Sequence, residues 1–189
     1  MEYIALVLIL IVLISIIFIW VVYNKFVKQK NLIDEAWSAI DVTLKKRHDL
    51  VPNLIAVVKG ISDHEENLFK EVTKWRAAAM QAKDSSTREE AENMLSSVLG
   101  KINVVIENYP TLVSGENYLK LQEQLETIED EISYARRYYN GTIRNNNILL
   151  ESFPSNLIGN MFNFQKPFFF EVETSAERNV PLANFSDDE

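Results

Sequence analysis

From Ile4 to Val22 every residue except Ser15 is apolar, and no other feature of the chain constrains its fold as strongly. As a helix this run rises roughly 28 Å, close to the ~30 Å hydrocarbon core of a bilayer. Tyr3 stands at one end and Trp20 and Tyr23 at the other, as expected for rings at headgroup level. A cleaved signal peptide would show a basic leading region, a shorter apolar run and a small-residue cleavage site. Here Glu2 is the only charged side chain before the run, and Phe18, Trp20 and Tyr23 fill its exit. Residues 1–24 therefore read as a retained transmembrane anchor bounded by Ile4, Trp20, Val22 and Tyr23. Lys25, Lys28 and Lys30 follow the span and no Lys or Arg precedes it, so the positive-inside rule expects the rest of the chain in the cytoplasm.

The formal net charge of −8 argues against a nucleic-acid partner, which would call for a basic surface to neutralise phosphates. The absence of cysteine excludes a lipoprotein anchor, a disulfide framework and thiolate metal sites.

Beyond the span, apolar residues recur at Ile33, Trp37, Ile40, Leu44, Val51, Leu54, Val58 and Ile61. Their three-and-four spacing is that of a helical stripe, interrupted only by Arg47. No turn signal separates Tyr23 from Ile33, so the anchor helix is expected to run straight into this one. Pro52 predicts a kink rather than an end. Gly60 with Ser62 and Glu65 could start a new helix, yet the stripe stays in phase through Leu68, Val72, Trp75 and Ala79, which favours a helix continuous or only briefly broken. The first clear loop is read at Asp84–Arg88, with Thr87 and Glu90 as a capping box. The next stripe is Met94, Val98, Ile102, Val105 and Tyr109. Pro110–Gly115 reads as a second loop, and a third long helix carries Leu121, Leu125, Ile128, Ile132, Ala135 and Tyr139. The expected fold is all-α: an N-terminal transmembrane helix continuing into an antiparallel bundle of long helices over residues 25–150.

Residues 151–189 change character. Seven of the ten phenylalanines fall between Phe153 and Phe185, and Pro154, Pro167 and Pro181 interrupt regular structure. Disordered tails are poor in aromatics, so this segment reads as an extended strap, with Phe153, Phe162, Phe164, Phe169 and Phe170 filling grooves on the bundle.

Few residues suggest chemistry. His64-Glu65 resembles the start of a zinc-binding HExxH helix, but position 68 is leucine and the other histidine is His48. A catalytic zinc needs three protein ligands, so no metal site is expected and Glu65 is better read as a helix-capping residue. Arg47, His48 and Asp49 lie beside Pro52. Arg47 in an apolar stripe should face inward and require a carboxylate, for which Glu129 is the candidate. No serine or cysteine nucleophile accompanies His48 and Asp49, so a structural network is preferred to catalysis, and neither a catalytic residue nor a cofactor is expected. Arg136-Arg137 could hold phosphate but reads better as solvated charge. Trp37, Trp75, Tyr134, Tyr138 and Tyr139 read as packing residues. Asn140-Gly-Thr matches a glycosylation sequon by pattern only.

The stretch Ala36–Asn53, AWSAIDVTLKKRHDLVPN, resembles the signature of the LemA family of bacterial membrane proteins. The likeness continues in Gly60, His64-Glu65, Tyr109-Pro110, YARRYYN from Tyr134 to Asn140, and SFPSNLIG from Ser152 to Gly159, and ends with Phe169-Phe170-Glu171 and Pro181. Lys46 departs from the second arginine that many members carry. The resemblance implies an N-terminal anchor, an antiparallel bundle and no known enzymatic activity. Taken with the lysine flank, a single-pass protein of the bacterial inner membrane is expected, its bulk in the cytoplasm. A non-catalytic scaffold is expected, either self-associating or offering a docking surface to membrane proteins. The alternative is an adaptor or regulator of a membrane enzyme, such as a signalling kinase or an HtpX-type protease. An enzyme built on Arg47-His48-Asp49 is the least favoured reading. Homo-oligomers are expected through Ile33, Trp37, Ile40 and Leu44, where the helix leaves the membrane. The membrane is the expected partner, with another membrane protein as a further one. No small-molecule substrate is identified.

Overall fold

The computed structural model describes residues 1–59, 65–109 and 115–170. Five helices account for almost all of them: α1 (Glu2–Lys59), α2 (Glu66–Gln81), α3 (Ser85–Ile106), α4 (Glu116–Glu151) and α5 (Ser155–Met161). No strand occurs among the described residues; the protein is all-α. Helix α1 has 58 residues and so extends roughly 87 Å. It crosses residue 24 and Pro52 without a break, because neither glycine nor a turn signal interrupts it there.

Pairings along α1 give each helix its direction. Gln29 Nε2 donates to Thr142 O, and Lys46 pairs with Glu131 at 2.8 Å, so α4 runs antiparallel to α1. Arg76 reaches His48 while Lys59 lies over the Phe69 ring, so α2 returns antiparallel as well. Asp41 binds Arg88 and Arg47 binds Ser96, so α3 runs parallel to α1. The distal half is therefore an up-down-up-down bundle of four helices. Closer to the N-terminus only α1 and α4 continue, joined by α5 and the strap.

The antiparallel return of α2 corrects the expectation of a continuous or briefly broken helix across residue 60: a stripe can stay in phase while the chain reverses. Gly60, Ile61, Ser62 and His64 lie outside the described residues, and Glu65 makes no side-chain cap. The loop expected at Asp84–Arg88 is shorter. Asp84 caps α3, accepting from Thr87 N at 2.8 Å and from Thr87 Oγ1 at 2.8 Å. The carboxylate takes the acceptor role three residues before Thr87 could, so the helix begins at Ser85. The buried stripe of α3 is likewise Ala91, Leu95, Val98, Leu99, Ile102 and Ile106; Met94, placed on it by the sequence reading, is exposed.

Three apolar clusters stack along α1. The distal one joins Val51, Leu54 and Val58 to Phe69, Val72, Leu95, Ile102, Ile106 and Tyr118. The middle one joins Ile33, Ala36, Ile40 and Leu44 to Ile128, Ile132, Tyr139, Ile143 and Phe170. The basal one joins Val22 and Phe26 to Ile158. Each large side chain so buried stabilises the fold by about 1.5–3 kcal/mol. Ile4 to Phe18 of α1 carries no such cover, and Ile19 is the first residue of the run to pack on the basal cluster.

Candidate functional site

Where α1, α3 and α4 meet, the stripe places a charge in the interior. Arg47 has no exposure, nor has Glu92 of α3, and the two form an ion pair through Nη2 and Oε2. Arg47 Nη1 donates to Ser96 Oγ at 2.7 Å and to Glu129 Oε1 at 2.9 Å. The other Glu92 oxygen lies 2.9 Å from His48 Nε2. Burial opposes the guanidinium charge, but Glu129 and Glu92 outweigh it and raise the pKa of Arg47. Burial likewise opposes the Glu92 charge, and His48 and Arg47 outweigh that too, holding the carboxyl below its ordinary value. Arg136, on α4, is lowered by burial and by the nearby Arg47 charge. The cluster is thus a salt-bridge network inside a helical core, with Glu129 half-exposed at its rim.

Of the residues expected in this network, Arg47, His48 and Glu129 are brought together. Asp49 is not: it sits on the exposed side of α1, because one helical step from the buried His48 turns a side chain by about 100°. Pro52 is exposed as a ring and acts through the backbone. Lacking an N–H, it leaves the carbonyl four residues earlier without its helical donor, and that carbonyl belongs to His48. Arg76 Nε of α2 donates to it at 2.7 Å. Glu92 was missed by the sequence reading. Its signal was present, since Glu92 continues the Leu95, Leu99, Ile102 and Ile106 rhythm by one step.

The strap is fastened by side chains of α4. Asn140 Nδ2 donates to Phe170 O at 2.9 Å, and Phe170 N donates to Asn140 Oδ1 at 2.8 Å. Tyr139 Oη donates to Phe168 O at 3.3 Å, and the buried Asn146 to Gln165 O at 3.4 Å. These asparagines, not the sequon pattern, explain the motif around Asn140. Phe170 lies between Trp37, at 6.3 Å between ring centroids, and the Arg136 guanidinium, at 4.4 Å. Phe164 stacks on Phe26 at 4.7 Å, and Phe162 meets Tyr23 at 4.8 Å while staying half exposed. Phe153, 80% exposed, corrects the expectation of packing, and Phe169 like Phe162 is covered only in part. Asn140 holds both backbone groups of Phe170, which turns inward, while Phe168 and Phe169 before it stay exposed. Residues 171–189, including Phe185, lie outside the described residues.

The face proposed for self-association is also corrected. Ile33, Ile40 and Leu44 are buried against α4, and Trp37 packs on Tyr139 and Phe170. The chain's own last long helix covers the stripe down to the membrane-proximal end. At that end Val22 belongs to the basal cluster rather than to the open anchor surface, whereas Ile4 and Trp20 are exposed and Tyr23 partly so.

Beside the strap lies a hollow of about 810 Å³ lined by Trp37, Ser85, Ser86, Glu89, Glu90, Asn93, Tyr139 and Pro167 to Phe170. Its volume falls in the range of ligand and docking pockets. Aromatic rings from α1, α4 and the strap form one wall, and the acidic start of α3 forms the other. Among the described residues, no group of three or more His, Asp or Glu side chains is arranged to hold a metal ion.

The chain is similar to Protein LemA of Metamycoplasma hominis, 27% identical over 135 residues, which cover 71% of this chain and 58% of that protein. It is also similar to Magnetosome protein MamQ 2 of Paramagnetospirillum magneticum, 21% identical over 184 residues, and to Magnetosome protein MamQ of Magnetospirillum gryphiswaldense, 20% identical over 184 residues. Each of these alignments covers 84% of this chain and 68% of the relative. The model of the LemA family matches residues 36–185, a stretch running from the Trp37 region of α1 through the charge network and the strap. The chain belongs to the LemA family.

Proposed function

We propose that this protein is a membrane-anchored, non-catalytic scaffold that holds a helical docking head at a fixed distance from the cytoplasmic face of the membrane. The observation that carries this reading is the unbroken α1, which is at once the apolar span and the central helix of the head. A linker between anchor and head would let the head tumble; a continuous helix fixes its height and its angle to the span. The buried Arg47–Glu92 pair fits a scaffold, since buried ion pairs serve helix register better than they serve stability. The docking surface is the hollow between the strap and the start of α3, where exposed Phe168 and Phe169 stand opposite Glu89 and Glu90. Aromatic anchors beside charged rims are the common composition of protein-binding hot spots. The occupant in this reading is a second membrane protein, which makes the adaptor role the specific form of the scaffold. Self-association is the weaker form, because the stripe expected to support it is covered by α4.

Photo-cross-linking from position 168 in native membranes tests this. A discrete adduct with another membrane protein is expected, and the same probe at the exposed Val104, roughly 27 Å along α3 from Ser86, should give none. A ladder at multiples of the chain's own mass would replace the adaptor by a self-assembling scaffold. No adduct at all would contradict the docking role.

A further inference from the structure

Helix α5 has an amphipathic pattern that the bundle does not use up. Ile158 and Gly159 face α1, where Gly159 leaves room for nothing larger: a Cβ there would stand 2.8 Å from the Leu150 side chain and 3.1 Å from Phe26. Away from α1 stand Leu157 and Met161 of the helix, with Phe153 just before it and Phe162 just after it, and these four are 46–80% exposed. Water would be a costly neighbour for such a patch on a soluble domain.

Its position on α1 says what covers it. Ile158 packs at Val22, the end of the apolar run, and Phe162 closes an apolar hollow of about 350 Å³ with Ile16, Ile19, Trp20 and Tyr23. Ile16 lies six residues before Val22, or roughly 9 Å deeper along the helix axis. The exposed side of α5 is therefore continuous with the exposed surface of the span and at the same depth. Asn156 and Asn160 supply polar groups on this short element, Lys25 and Lys28 follow Val22 on α1, and Lys166 pairs with Glu151 at 2.7 Å. An apolar face beside cations is the composition of a helix lying in the membrane interface, sunk about 5–10 Å into the headgroup and acyl boundary.

We infer that the turn from α4 through α5 is a second membrane contact: an interfacial wedge in which Phe153, Leu157, Met161 and Phe162 enter the same leaflet as the head-proximal end of α1, with lipid acyl chains filling the hollow at Phe162. The wedge sets which side of the head faces the membrane, a rotation about the α1 axis that the span alone leaves free. This inference rests on the reading of Ile4–Val22 as a membrane span.

The native chain has no cysteine, so single substitutions can carry an environment-sensitive fluorophore without background. Full-length Leu157→Cys and Met161→Cys, labelled in nanodiscs, are compared with Ile11→Cys in the span and Val104→Cys on the head, all at exposed positions. Lipids spin-labelled at a shallow or a deep acyl position quench from the membrane, and iodide quenches from water. Probes at 157 and 161 should be blue-shifted, lose intensity with the shallow label and resist iodide. The probe at 11 should respond most to the deep label, and that at 104 to iodide alone. If 157 and 161 behave like 104 while 11 stays lipid-quenched, the wedge is overturned and the anchored head stands. If 11 is itself quenched by iodide, the span reading falls with it. Probes at 157 and 161 shielded from both iodide and lipid labels would place protein there, which also overturns the wedge.

Discussion

Arg76 on α2 donates its Nε–H to the carbonyl of His48 on α1 at 2.7 Å, filling the vacancy that Pro52 creates in the α1 hydrogen-bond ladder. A proline that would otherwise leave an orphan acceptor thus becomes the point at which a second helix is tied on. The guanidinium also gains a defined orientation, lying across the helix beside the buried charge network.

Replacing Arg76 by Met should cost about 1–3 kcal/mol, the penalty for leaving a buried carbonyl unsatisfied. Pro52→Ala restores a helical N–H to that carbonyl. In the Pro52→Ala background, Arg76→Met should therefore cost much less. Thermal melts of the four proteins in detergent close this cycle. Equal losses in both backgrounds would mean that Arg76 stabilises through something other than the His48 carbonyl.

Removing one member of the Arg47–Glu92 pair leaves the other charged and without solvent. Either Arg47→Met or Glu92→Leu should destabilise by about 3–5 kcal/mol, and the double substitution by less than either alone. Denaturant unfolding followed by circular dichroism measures all three. A double variant as unstable as the sum of the singles would show that the two side chains act independently.

The pH response follows from the lowered Glu92 pKa. Its folded value lies below the ordinary 4.5, so the unfolded chain binds the proton first as pH falls. The stability it contributes is complete above that ordinary value and disappears as pH drops through the folded one. Glu92→Gln mimics the protonated carboxyl. The gap in melting temperature between the native chain and this variant should be widest near neutrality and shrink below about 4.5. A gap independent of pH would show that the charge of Glu92 is not what stabilises the core.

Asn140 is the clamp of the strap, with both of its amide atoms bound to the backbone of Phe170. Asn140→Ala should release residues 165–170 from α4 and raise their amide hydrogen exchange, while exchange in α2 and α3 stays slow. The same substitution should uncover Trp37, seen as a red shift of tryptophan fluorescence. Phe168→Ala, at an exposed position, should change stability by no more than about 0.5 kcal/mol. Unchanged exchange in the strap of the Asn140 variant would place its anchoring elsewhere.

The parts legible from sequence share a cause: they depend on one helix at a time. The apolar run, the stripe from Ile33 to Val58 and the inward turn of Arg47 are properties of a single periodic segment. What required the tertiary structure was which helix covers which stripe. Ile33 and Ile40 were read as a free face because nothing in their own segment announces α4. Glu92 was hidden among Glu89 and Glu90, where an acidic run at a helix start resembles a solvated face and a favourable dipole. Asp84 won the cap from Thr87 by one turn, a choice that pattern alone leaves open. In the strap, inward Phe170 and outward Phe169 differ by one residue, and only the asparagine rungs of α4 decide between them.

The central claim is that one rigid helix carries the head at a fixed height above the span. Paired spin labels at Leu10 in the span and Val42 on the exposed side of the head, both outward-facing, measure it in reconstituted full-length protein. The two positions are thirty-two residues apart, so a continuous helix separates them by roughly 48 Å at 1.5 Å per residue. Double electron–electron resonance should give one narrow distribution near that distance. A broad distribution, or one centred well below it, would mean a hinge between anchor and bundle and would contradict the account.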